Sequence, residues 1–118
     1  MVVAHGREAP AAAEWDAFIA ECRELGDKIK RMLVFTAGGS LDAGQRVQVE
    51  REFGKLQIAV LTDSLVVRGV VTALSWFRVP IAAFAPDQLA RAMDHIKVPP
   101  DERDTLRKGL ARAKARVL

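Results

Sequence analysis

Five residues with hydroxyl or carboxylate side chains follow two apolar segments of the chain. They are Thr36, Ser40, Thr62, Asp63 and Ser64. The segments before them, residues 32–35 and 58–61, are unbroken apolar runs, which is typical of strands buried on both faces. Short side-chain oxygens placed after a strand can cap the next helix, because they accept hydrogen bonds from its unpaired first-turn N–H groups. The same N–H groups attract anions, so the pattern predicts either helix caps or an edge that binds an anion or a partner.

Ser64 has two interpretations. It can cap the helix that follows, a role that Asp63 can also fill. Alternatively, it is a regulatory phosphorylation site, since free N–H groups and the helix dipole would hold a phosphate that adds about −2 of charge. Arg68 lies one helical turn further on, and it is either a solvated polar position or a contact for an anion or a partner. Gly38-Gly39-Ser40 is a flexible turn or a loose phosphate-binding loop, although it lacks both the Walker lysine and the G-x-G-x-x-G spacing.

Positive charge is concentrated at the end of the chain. Residues 103–118 contain six basic side chains and one acidic side chain, Asp104. The basic residues are Arg103, Arg107, Lys108, Arg112, Lys114 and Arg116. They form either a solvated helix face, with their aliphatic stems on the protein body, or a contact face for nucleic acid or an acidic partner. Nucleic acid is the less favoured of these partners, because no aromatic side chains are interleaved for base stacking.

The sequence contains few residues arranged for catalysis or metal binding. His5 and His95 have no cysteine or carboxylate partners at metal-ligand spacing, and no G-x-S-x-G motif is present. Cys22 lies on the apolar face of a predicted helix, which favours a buried, unreactive thiol. We therefore expect a protein that is not an enzyme and that needs no metal or cofactor.

The elements that position these residues belong to one domain, since 118 residues can bury a single core. Alternating apolar runs and amphipathic segments predict an α/β fold with a small, mainly parallel four-stranded sheet covered by helices. In this prediction, residues 1–100 form the domain and residues 101–118 form an appended basic helix. A single cysteine favours a reducing cytoplasm. We expect neither a secretory signal nor a membrane span, because Asp63 and Arg68 interrupt the longest apolar stretch.

Four strands and five helices are predicted. The strands are short apolar runs at residues 1–5, 32–35, 58–61 and 81–84. The helices, with apolar side chains at helical spacing, span about residues 11–29, 41–53, 65–77, 86–96 and 101–118. Val47, Val49 and Phe53 are expected on the inward face of the second helix. The third helix is expected to be nearly buried, with Trp76 and Phe77 as core anchors or, alternatively, as an exposed interface patch.

Several segments resemble those of a known group of bacterial domains. They are LVFTAGG, QR, AVLTDS, RGVVTALSWF and AFAP, within about Trp15 to Leu89. Together with the order of elements, they are similar to STAS-type domains related to anti-sigma-factor antagonists and to STAS/SEC14-like proteins. In anti-sigma-factor antagonists, a partner kinase phosphorylates a serine at the start of the helix after a central strand, which switches protein binding. The resemblance implies that Ser64 is that serine, although Leu65 and Val66 replace the second serine and the glycine of the usual pattern.

These observations lead to three hypotheses about function. The first is a non-catalytic cytoplasmic regulatory or protein-interaction domain that is switched by phosphorylation at the strand-end edge. The second is an α/β domain that binds a small anion or a nucleotide between the loops at residues 36–40 and 62–64. The third is weak nucleic-acid binding through the basic C-terminal helix. The sequence leaves open the identity of a protein partner and whether the chain forms a homo-oligomer.

Overall fold

The computed structural model of the protein describes residues 1–6, 8, 10–38, 41–53, 56–76 and 79–117. Its strands and helices alternate along the chain. In chain order they are β1 (Val2–His5), α1 (Ala12–Leu25), β2 (Arg31–Thr36), α2 (Ala43–Phe53), β3 (Gln57–Leu61), α3 (Leu65–Trp76), β4 (Ile81–Phe84), α4 (Leu89–His95) and α5 (Arg103–Val117). Short 3-10 helices, Gly26–Lys28 and Pro100–Glu102, follow α1 and precede α5.

The four strands form one parallel sheet in the order β1-β2-β3-β4. Val34 of β2 pairs with Val3 of β1 and with Val60 of β3, so the register continues from strand to strand. Each strand pairs with the strand that follows it in the sequence, and a helix connects the two. Such crossover connections between parallel strands are right-handed. Helices α1, α2 and α3 therefore all lie on one face of the sheet. This architecture confirms the predicted α/β class with a small parallel sheet covered by helices.

Side chains from alternate strand positions pack into two separate hydrophobic cores. On β3, Ile58 and Val60 point toward the layer formed by α1, α2 and α3. Ala59 and Leu61 point the other way and pack with residues of α4 and α5. The central strands are therefore buried on both faces, which explains their unbroken apolar runs.

Local sequence features determine where helix α1 ends and where helix α2 begins. Helix α1 ends at Leu25, earlier than the predicted residue 29, and Gly26, which the sequence predicts at the end or in the last turn of this helix, follows directly. Gly26 has a φ of 52°, a left-handed conformation that glycine adopts without steric cost, and its N–H donates to the carbonyl of Cys22. At the start of α2, the Gln45 N–H donates to Asp42 Oδ1 (2.8 Å) and the Asp42 N–H donates to Gln45 Oε1 (3.0 Å). These reciprocal bonds form a capping box.

Two large apolar side chains lie outside the core, which contradicts the inward position predicted for Val47 and the core-anchor interpretation of Trp76 but agrees with the alternative that Trp76 is exposed. Val47 is 52% exposed and Trp76 is 78% exposed. Each lies two residues from a buried position on its helix, Val49 and Leu74 respectively, and two residues correspond to about 200° of rotation. A side chain rotated that far from the buried stripe points away from the sheet. Phe77, the other predicted anchor, lies outside the described residues.

Shortening Leu33 to alanine tests the core on the α4 and α5 side of the sheet. Leu33 is 0% exposed, so Leu33→Ala leaves a cavity, and we expect it to lower the free energy of unfolding by about 2–5 kcal/mol. Leu65 is 83% exposed and provides the matched control. Leu65→Ala deletes the same atoms from the surface and should change this free energy by less than about 0.5 kcal/mol. Urea unfolding followed by circular dichroism measures both values, and equal destabilisation would contradict the burial pattern.

Candidate functional site

The loops at the carboxyl ends of β2 and β3 bring together most of the edge residues predicted from the sequence. Thr36 ends β2 and Thr62 follows β3, and because Phe35 pairs with Leu61, the two threonines occupy neighbouring positions. Ser40 lies outside the described residues. The chain leaves β3 toward α3 on one face and leaves β4 toward α4 on the other face. Loops that diverge in this way flank the ligand sites of many open α/β sheets.

Thr36 and Thr62 are buried, with exposed fractions of 4% and 0%. Thr62 Oγ1 accepts a hydrogen bond from the N–H of Ser64 (3.0 Å), and Thr36 Oγ1 accepts one from the N–H of Gly38 (3.2 Å). Bonds between a hydroxyl and the N–H two residues later stabilise tight turns. Both hydroxyls therefore shape the backbone at the point where each strand ends.

Ser64 caps helix α3. Its Oγ accepts a hydrogen bond from the N–H of Val67 (3.3 Å), which satisfies one of the unpaired donors of the first turn. The side chain of Asp63, the other candidate for this role, is exposed at the same edge. The capping interpretation of Ser64 agrees with this geometry, and its phosphorylation stays a prediction.

The Arg68 side chain folds back toward the end of β3. Its Nη2 donates a hydrogen bond to the carbonyl of Thr62 (3.2 Å). The guanidinium therefore lies beside the first turn of α3, at the same end of the helix as Ser64. A positive charge at this end opposes the helix dipole, which favours negative charge near a helix N-terminus.

The side of α3 that faces away from the sheet carries no charged residue. At about 100° per residue, six residues fall within an arc of about 120°. They are Leu65, Val66, Gly69, Thr72, Ala73 and Trp76, and we call them the outer face of α3. The exposed fractions are 83% for Leu65, 68% for Val66 and 78% for Trp76. The opposite side of the helix carries the side chains that are buried against the sheet.

Helix α3 is thus less buried than its sequence predicts. Only Val67, Val71 and Leu74, at helical spacing, are fully buried. Leu65 and Val66 were not among the predicted site residues, and the feature that could have identified them is their position outside this buried stripe. An apolar residue that a helical period places away from the core is a candidate contact for another molecule.

A shallow groove between α2 and α3 extends this surface. It has a volume of about 200 Å³, and the apolar Val47 and Ala73 line it together with the charged Arg46 and Glu50. The large hydrophobic side chains that are strongly exposed among the described residues are Val47, Leu65, Val66 and Trp76. All four belong to α2 or α3, so exposed apolar surface is concentrated on this part of the molecule.

Burial shifts the pKa values of two titratable side chains, His5 and Cys22, toward their uncharged forms. Burial lowers the pKa of the His5 imidazole, and Glu14 partly opposes that shift. Burial also raises the pKa of the Cys22 thiol to about 11, with a further contribution from Glu21, so the thiol is protonated at neutral pH. Among the described residues, no three His, Cys, Asp or Glu side chains are grouped closely enough to hold a metal ion.

Three members of the predicted basic contact face make contacts within the chain. Arg103 pairs with Asp94 at 2.7 Å, and Lys108 pairs at 3.1 Å with the aspartate four residues before it. Lys114 Nζ lies 4.8 Å from the centroid of the Phe35 ring, within range of a cation–π contact. Three other basic residues of the predicted face have exposed side chains and make none of the contacts described above. They are Arg107, Arg112 and Arg116.

No helix among the described residues is both long and apolar enough to cross a membrane. Comparison of the chain with protein-family models, with curated proteins and with solved structures finds no match. The resemblance to STAS-type domains therefore stays a prediction, and function has to be inferred from the geometry of the candidate site.

Removing the cap on α3 tests the structural role of Ser64. Ser64→Ala deletes the oxygen that accepts from the Val67 N–H, and we expect it to lower the free energy of unfolding by about 1 kcal/mol. Ser75 provides a control on the same helix, because its hydroxyl donates to the Thr72 carbonyl on the exposed side. Ser75→Ala should change this free energy by less than about 0.5 kcal/mol. If chemical denaturation gave the same loss for both variants, the capping bond would not be its cause.

Proposed function

We propose that this chain is a non-catalytic regulatory domain that binds another protein through the outer face of α3. The observation that carries the proposal is the absence of charge on this face, because surface helices normally carry charged residues on the side away from the core. Burial of apolar surface favours association by roughly 25 cal/mol per Å². Tryptophan, here Trp76, is among the residue types that most often contribute strongly to binding energy at protein interfaces.

The outer face has a shape that suits a partner helix. Leu65 and Trp76 lie at its two ends, about 16 Å apart along the helix axis, and the small residues Gly69 and Ala73 lie between them. Large side chains around a small central pair leave a shallow depression into which another helix can pack.

Gly69 supports this proposal independently. Apart from its chain neighbours and the backbone of its own helix, no described atom lies within 4 Å of the position that a Cβ on Gly69 would occupy, so packing within the chain does not require glycine there. Glycine in a helix interior costs about 1 kcal/mol relative to alanine. Close approach of a partner backbone is a physical reason for a glycine at this position.

The position of Ser64 supports its role as a switch for this docking. A phosphate on Ser64 would place about −2 of charge beside Leu65 and Val66, at the start of the outer face. Arg68 lies one turn away and can pair with that phosphate, which would also relieve its unfavourable position at the helix N-terminus. The resemblance to anti-sigma-factor antagonists points to the same serine. Phosphorylation of Ser64 in a bacterial cytoplasm is therefore part of the proposal.

Substitutions on the outer face should weaken partner binding. The partner is isolated by affinity capture from native lysate in the presence of nuclease, and its affinity is measured by isothermal titration calorimetry. We expect Val66→Asp and Trp76→Ala each to weaken binding by at least about tenfold, because each removes buried apolar contact. Ser75→Asp is the control, since Ser75 is exposed on α3 but lies outside the outer face.

Two results would overturn the docking proposal. One is an unchanged affinity of Val66→Asp and Trp76→Ala for the captured partner. The other is a pair of observations: no protein is captured, and light scattering gives the mass of a monomer. The mass matters because a second copy of the chain is also a protein partner that this apolar face could bind.

The effect of phosphorylation can be tested separately with the same partner. Ser64→Asp places negative charge at the first turn, and we expect it to change the affinity for the partner by at least about fivefold. Ser64→Ala removes the cap without adding charge and should leave the affinity within about twofold. If both variants and the enzymatically phosphorylated protein bind the partner with the affinity of the unmodified protein, Ser64 is not a switch. That result would leave the proposal of docking on α3 unaffected.

A further inference from the structure

A second surface lies at the opposite end of the sheet, where the strands begin. A groove of about 1000 Å³ runs there between α5 and the connection from α1 to β2, past the start of β1. We call it the amino-end groove. Apolar side chains, including Leu25, Leu106 and Ala113, form part of its lining. None of the residues that form the outer face of α3 lines it, so the two surfaces are separate.

The start of strand β1 contributes Val2 to the lining of this groove, together with the preceding Met1. Within the described residues, β1 pairs with β2 alone. The carbonyls of Met1 and His5 accept hydrogen bonds from the N–H groups of Leu33 and Ala37, at 2.9 and 3.0 Å. Backbone groups alternate in direction along a strand, so those of Val2, which lines the groove, point away from β2. An edge of this kind can pair with an extended peptide.

Basic side chains outnumber acidic side chains around the groove. The basic residues are Lys28, Lys30, Arg31, Arg112 and Arg116. The acidic residues are Glu21, Asp101 and Glu102. Arg112 and Arg116 of the predicted basic face therefore share one concave surface, whereas Arg107 on the same helix does not line it. An excess of positive charge favours a ligand that carries carboxylates.

We propose that the amino-end groove binds an acidic peptide in an extended conformation. The peptide backbone pairs with Val2 on the edge of β1, and its carboxylates contact Arg112 and Arg116. Alternate side chains of an extended peptide point in opposite directions, so one set meets Arg112 and Arg116 on α5 while the other set meets Leu25 at the end of α1, on the opposite face of the sheet.

A peptide fits the groove better than a nucleic acid does. A nucleic acid carries a phosphate on every nucleotide and so places negative charge against the three acidic residues of the lining, whereas a peptide can carry its carboxylates only where they meet arginines. None of the described residues that line the groove is aromatic, so the groove offers no platform on which bases stack. The apolar part of the lining, by contrast, suits aliphatic side chains.

Fluorescence anisotropy with a labelled peptide of alternating glutamate and valine residues tests the proposal on the full chain. We expect saturable binding that weakens as the salt concentration rises, and no binding of the matching lysine and valine peptide. Arg112→Glu and Arg116→Glu should each weaken binding by at least about fivefold, because each reverses a charge that contacts the peptide. Arg107→Glu makes the same charge change outside the groove and should alter the affinity by less than about twofold.

Backbone pairing with β1 has its own test. Val2→Pro removes an N–H that points away from β2, so it deletes a bond to the peptide without breaking a bond between β1 and β2. Val2→Ala controls for the loss of the valine side chain. We expect Val2→Pro to weaken binding at least about fivefold more than Val2→Ala does, with the same circular dichroism spectrum and melting temperature for the two variants.

Three outcomes would overturn the proposal. The first is the absence of binding by the glutamate and valine peptide. The second is an equal loss of affinity in Arg107→Glu and Arg112→Glu, which would indicate attraction to the overall charge of the helix. The third is tighter binding of a single-stranded DNA oligonucleotide that displaces the peptide, which would assign the groove to nucleic acid. The proposal for α3 concerns other residues and is unaffected by these outcomes.

Discussion

Burial of β2 and β3 on both faces is the constraint on which the rest of this structure depends. Parallel strands with no solvated face need helices on both sides, and pairing between sequence neighbours places α1, α2 and α3 in one layer and leaves the other face to α4 and α5. The same parallel order brings the ends of the strands to a common edge. Ser64 and Leu65 lie at that edge because α3 has to begin where β3 ends.

Burial also determines how polar groups at this edge are used. Thr36 and Thr62 are covered by neighbouring elements, and a buried hydroxyl without a hydrogen-bond partner is costly. Both side chains bond to nearby backbone N–H groups, which stabilises the turns after β2 and β3. The residues with the most obvious binding chemistry in the sequence therefore have structural roles. The exposed surface beside this edge is formed mainly by apolar residues of α3.

The packing of α5 divides the positive charge of the chain. This helix lies close to β1, and a Cβ on Gly109 would lie 3.9 Å from Val2 Cγ2. Its angular position directs Lys114 toward Phe35 and directs Arg112 and Arg116 toward the amino-end groove. A basic helix that seems uniform in sequence thus contributes to the fold on one side and to a charged concave surface on another. Because the groove and the outer face of α3 share no residue, occupation of one leaves the side chains of the other uncovered.

The α/β class, the four strands and the approximate positions of the helices follow from the sequence alone, because apolar runs and helical periods are local patterns that persist in the fold. The sequence also placed Thr36, Thr62 and Ser64 at one edge, since parallel strands end together. Only the tertiary structure decided that Trp76 is exposed and that Arg103 pairs with Asp94. A helical period determines which residues share a side of a helix, but long-range packing determines which side is covered and which distant groups come within contact distance.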